Sequence, residues 1–131
     1  MNRPAFAVLA PLVLVAGCSG GSSGTDPGAV ADLGTTTAAG SPSAQTAEVD
    51  GKDTLKFGPN IVDAKVGALA LTFRNAGQVP HNLVFDDAGL GKTGTVNGGA
   101  RQVLSLRFDK VGTFTFQCTF HPGMTGKVVV S

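Results

Sequence analysis

The chain has 131 residues, room for one domain and little else. Ten Lys and Arg against nine Asp and Glu leave a formal charge of +1 with no basic stripe, which excludes nucleic-acid binding. Two His, two Cys, no Tyr and no Trp are too few donors for a multinuclear metal enzyme, and a Ser or Cys hydrolase would have to draw its base from those two histidines.

In chain order, Arg3 and the apolar run from Ala5 to Ala16 have the shape of a secretory signal, residues 1–17. A run of twelve residues is too short to cross a bilayer, which takes about 20. The signal ends in Val15-Ala16-Gly17-Cys18, which resembles the lipobox of bacterial lipoproteins: an aliphatic residue, two small ones, then the cysteine that is lipidated. An ordinary signal cleaved after Gly17 would instead leave Cys18 as a stray exported thiol. The resemblance implies an exported protein held by Cys18 at the outer face of the cytoplasmic membrane, in a periplasm or at the cell surface, since two acyl chains suffice for stable anchoring. Ser19 to Ala47 is mostly Gly, Ser, Thr, Ala and Pro, so residues 18–47 are expected to be a lipidated cysteine and a disordered linker.

Residues 48–131 read as strands separated by turns. Leu69, Leu71 and Phe73 alternate with Ala70, Thr72 and Arg74; Leu104, Leu106 and Phe108 with Ser105 and Arg107; Phe114, Phe116 and Cys118 with Thr115 and Gln117. A period of two marks half-buried strands. Gly58-Pro59-Asn60, Asn75-Ala76-Gly77 and Asn97-Gly98-Gly99 supply the turns, and no long stretch holds a helical period. The expected fold is all-β, an antiparallel sandwich or barrel.

The chemistry gathers in Cys118-Thr119-Phe120-His121-Pro122-Gly123-Met124, between a strand over 112–117 and a final strand over 127–130. A thiolate, an imidazole and a thioether leave one loop at spacings of three, and Pro122-Gly123 lets the loop turn back on itself. The other histidine, in Val79-Pro80-His81-Asn82-Leu83, meets that loop only through folding. Taken singly, Cys118 also reads as a buried hydrophobe, Met124 as core filler, His81 as a satisfied core histidine and His121 as a plain loop residue. Two imidazoles and one thiolate with a weak axial thioether are together the set used by copper sites that transfer electrons. Asp86-Asp87 reads as solvated turn acids, and Lys52, Lys56, Lys65 and Lys127 form no cluster.

These residues resemble those of the cupredoxins, small blue-copper proteins, and most closely the plastocyanin and amicyanin branch. Arg74 to Asp86 is similar to the segment bearing that family's first histidine ligand, and Val111 to Cys118 to its Cys-bearing strand. Two residues between Cys and His and two between His and Met match the amicyanin loop, and the similarity covers essentially all of 48–131. It implies a Greek-key β-sandwich or barrel with one type 1 copper ion, held by His81, Cys118, His121 and Met124. It also implies that Asn82 bonds toward Thr119 to join the two ligand segments, and that His121 presents its edge to docking partners beside Pro80 and Pro122. The stretch from Asp86 to Gly112 is shorter than in plastocyanin, so a middle strand or helix is expected to be trimmed. The plant proteins' acidic patches and surface tyrosine are missing, so their partners do not carry over.

The function this implies is one-electron transfer between redox proteins by a membrane-anchored monomer that is not itself an enzyme. Copper nitrite reductases share the fold but need further histidines for a second copper, and only two are present. The alternatives are a copper-delivery or sequestration protein at the cell surface and a metal-free interaction domain. The cysteine-centred donor set favours redox cycling over storage.

Overall fold

The computed structural model describes residues 30–131; the leader, Cys18 and the first part of the expected linker lie outside the described residues. Nine strands follow in order: β1 (Thr35–Thr37), β2 (Gln45–Lys52), β3 (Lys56–Gly58), β4 (Ile61–Ala64), β5 (Gly67–Asn75), β6 (Val84–Phe85), β7 (Arg101–Phe108), β8 (Gly112–Gln117) and β9 (Thr125–Val130). They form a five-stranded sheet, β1-β4-β9-β8-β6, and a four-stranded sheet, β3-β2-β5-β7.

The alternation expected from the sequence is present. In β5, Leu69, Leu71 and Phe73 are buried while their neighbours face outward, and Leu106 and Phe108 of β7 and Phe116 of β8 behave likewise. The β5 and β7 side chains meet Phe116, Val62, Phe85, Val128 and Val130 of the opposite sheet in one core. Burial is worth roughly 1.5–3 kcal/mol for each such side chain. A one-residue slip of β5 would expose three of them, so the register is strongly specified.

The antiparallel expectation is corrected in part: both sheets are mixed. β1 with β4, β2 with β5 and β4 with β9 run parallel, while β2–β3 and β8–β9 are antiparallel hairpins. Parallel neighbours need a crossover, and the chain makes it by passing from sheet to sheet, as in the β3–β4 excursion between β2 and β5. Between β6 and β7 only isolated bridges occur, Val84 with Lys92 and His81 with Val96.

The expected domain start at Glu48 also moves. β1 and the first three residues of β2 lie within the span assigned to the linker. Thr35–Thr37 pair with Ile61–Asp63 through backbone bonds, which need no apolar side chain and so leave no trace in hydrophobic composition. Buried Asn60 ties the approach down, its Oδ1 accepting from the Leu33 N–H at 2.8 Å and its Nδ2 donating to the Ala31 carbonyl at 2.6 Å. Gln45, also buried, bonds to both backbone groups of Lys65.

Candidate metal centre

β8 and β9 form the hairpin that carries the Cys118–Met124 loop. Their ladder ends at the Gln117–Thr125 pair, and the Cys118 N–H donates to the Met124 carbonyl at 2.9 Å, extending it by one bond. Inside that bond, the Met124 N–H donates to the His121 carbonyl at 3.1 Å. Pro122 and Gly123 are the two central residues of this turn, and Gly123 has φ of 80°. Proline followed by a residue of positive φ is the pattern of a type II turn, and a side chain at Gly123 would be strained. Cys118 and Met124 are buried in the core, while His121 is only partly covered.

His81 arrives by a different route, outside regular strand. Its N–H and C=O exchange bonds with the C=O and N–H of Val96, at 3.1 and 2.8 Å. Buried Asn75, the last residue of β5, braces the chain before it: Nδ2 donates to the carbonyls of Val79 (2.7 Å) and Val96 (2.9 Å), and Oδ1 accepts from the Gly77 N–H (2.9 Å). Gly51 of β2 makes room for the ring, since a Cβ there would lie 3.0 Å from His81 Cδ2 and 2.9 Å from the Phe73 ring.

Folding brings the two segments into contact. His81 Nδ1 lies 3.2 Å from His121 Nδ1, and Cys118 Sγ lies 3.9 and 3.5 Å from those two nitrogens. A point equidistant from three atoms so spaced is about 2.1 Å from each, close to the metal–nitrogen distances of protein sites. Two Nδ1 atoms facing each other can share only one proton, and a cation between them would use both lone pairs. Burial first, and the neighbouring His121 ring second, lower the His81 pKa below the ordinary value; the Lys52 carbonyl and the Asp53 carboxylate oppose this. The ring is therefore neutral near pH 7, the form that ligates metals. Its Nε2 is buried without a hydrogen-bond partner.

Asn82 and Thr119 join the two segments directly. Asn82 Nδ2 donates to Thr119 Oγ1 and Asn82 Oδ1 accepts from the Thr119 N–H, both at 2.8 Å. Phe120, 47% exposed, and exposed Pro122 flank His121 along the chain, and exposed Pro80 precedes His81. Sequence reading took Asn75 only as a turn residue and missed Gly51 and Asp53. Their partners are backbone atoms or a ring far along the chain, which no local pattern reveals.

A family model for the cupredoxin-like domain matches residues 28–130. Amicyanin-alpha of Methylorubrum extorquens is 39% identical over 79 residues, covering 58% of this chain and 65% of that one. The chloroplastic plastocyanin of Physcomitrium patens is 36% identical over 103 residues, covering 70% of this chain and 60% of that one. The chain thus spans under two thirds of the length of both. Among solved structures, the purple cupredoxin of Nitrosopumilus maritimus is similar with a TM-score of 0.55 at 25% identity, covering 65% of this chain and 99% of that one. The donor set of two imidazoles, a thiolate and a thioether fits one type 1 copper ion.

Proposed function

Because the chain belongs to the cupredoxin-like domain family, we propose that it carries single electrons between redox proteins, using one copper ion held by His81, Cys118, His121 and Met124. The observation that carries this reading is the convergence of His81 Nδ1, His121 Nδ1 and Cys118 Sγ within 3.9 Å of one another. Copper bound there supplies a Cu(II)/Cu(I) couple with strong thiolate covalency.

The chain's own residues do the rest. Cys118 and His121 are held by the hydrogen-bonded turn, and His81 by the Val96 bridge and Asn75, so the donors are positioned before metal arrives and need little rearrangement between oxidation states. Buried Met124, inside the same turn, would offer a bound copper a weak thioether donor that tunes the potential. Asn82 and Thr119 keep the two segments in register. His121 is the partly exposed ligand, and its rim of Pro80, Phe120 and Pro122 is the surface on which a redox partner docks. Export and a lipid anchor at Cys18 complete the proposal, supported by Val15-Ala16-Gly17-Cys18 and the Gly/Ser-rich stretch after it.

The test is a visible absorption spectrum of the protein loaded with Cu(II). An intense thiolate-to-copper band that reductant bleaches and an oxidant restores is the expected result. A pale protein that takes up Cu(I) alone would overturn electron transfer in favour of copper delivery.

A further inference from the structure

Asp53 lies in the tight turn between β2 and β3, 28 residues before His81 in sequence and itself exposed to solvent. Its Oδ1 accepts from the Gln78 N–H at 2.7 Å and from the Val79 N–H at 2.9 Å. Those two bonds hold its carboxyl below the usual carboxylate range. The Val79 carbonyl, at the other end of the same residue, accepts from Asn75 Nδ2. Val79 is thus fixed on both sides, two residues before His81, in a stretch with no strand of its own. Gly77 completes the contact: a Cβ there would sit 2.1 Å from Asp53 Oδ1, so the carboxylate reaches the two N–H groups only because residue 77 has no side chain. The Ala76 N–H donates to the Gly51 carbonyl at 2.9 Å, which brings the same stretch against β2.

We propose that Asp53 is a positioning residue for His81, latching the 77–79 turn to the β2–β3 hairpin so that the imidazole meets the Cys118–Met124 loop at ligand distance. The inference rests on the copper reading above and extends it to a residue outside the ligand set. Since the latch consists of two bonds to one oxygen, an asparagine retains it and an alanine does not.

The test uses the full chain as wild type, Asp53→Ala, Asp53→Asn and Gly77→Ala, in two measurements. The first is amide hydrogen exchange at Gln78 and Val79 in the copper-free protein. The second is the rate of copper loss from the loaded protein to a chelator, below the unfolding temperature of every variant. Asp53→Ala and Gly77→Ala are expected to exchange faster at those amides and to lose copper about tenfold faster, in the range typical of residues that orient metal ligands. Asp53→Asn is expected to stay close to wild type in both, a rescue that a role in charge alone would not give. Wild-type rates in Asp53→Ala, or equal defects in the Asn and Ala variants, would overturn the proposal. A wild-type protein that binds no copper would overturn the metal reading on which it rests, and that control separates the two failures.

Discussion

The two halves of the metal centre are built in opposite ways. The Cys118–Met124 loop is local: seven residues carry three donors, close on themselves through the Cys118–Met124 and Met124–His121 bonds, and sit on the β8–β9 hairpin. The His81 segment is non-local, braced by Asn75 at the end of β5, Asp53 between β2 and β3, Val96 before β7 and Gly51 of β2. One half keeps its shape through its own sequence and the other through contacts with β2, the β2–β3 turn, the end of β5 and the stretch before β7. Their difference teaches where each is vulnerable: the loop to changes in its donors or the hairpin beneath it, the His81 segment to changes far from the metal.

The largest effect is expected within the loop. Replacing Cys118 by Ser removes the thiolate while leaving the backbone bonds of the turn, so the intense visible band should vanish from a protein that keeps its fold by circular dichroism. Next comes the hairpin beneath. A Cβ at Gly126 would lie 2.3 Å from the Phe116 ring and 2.7 Å from the Asn60 carbonyl. Gly126→Ala should therefore cost roughly 1–3 kcal/mol in denaturant unfolding, as overpacked cores do. If stability were unchanged, the hairpin would be more yielding than its packing implies. A third, smaller change tests the junction of the halves: Asn82→Ala removes both bonds to Thr119, and should cost about 1 kcal/mol in apo-protein stability. It should also raise the copper dissociation constant about tenfold or more, measured by chelator competition.

The smallest effect is a pH dependence. Backbone bonds from Val79 and then Gln78 depress the folded-state pKa of Asp53, so its contribution is present above the unfolded-state value and is lost as pH falls through the folded-state value. Stability of the copper-free protein measured down through the acid range should thus fall less steeply for Asp53→Asn than for wild type. Parallel curves would mean that the carboxylate makes no such contribution.

The same division explains how much was legible in the sequence. The core strands announced themselves because Leu69, Leu71, Phe73, Leu106, Phe108 and Phe116 follow the period of two that a half-buried strand imposes. The strand over 112–117 has the expected bounds, and the final strand starts two residues earlier, at Thr125. The donors were legible in the loop because order and spacing lie within seven residues, and His81 was reached through resemblance in its flanks. β1 and the start of β2 were not, because Thr35–Thr37 are held by backbone pairing and Gln45 by a buried polar side chain, neither of which raises hydrophobicity. The parallel pairings were equally hidden, since alternation reports which face is buried and not which strand lies alongside. Asp53 and Gly51 belong to the same class: their meaning depends on partners brought near only by the fold.

The most direct test of the convergent donor set is copper K-edge X-ray absorption of the loaded wild-type protein. Two nitrogens and one sulfur are the predicted nearest ligands, from the triangle formed by His81 Nδ1, His121 Nδ1 and Cys118 Sγ. A first shell of nitrogen and oxygen alone, without sulfur, would contradict it.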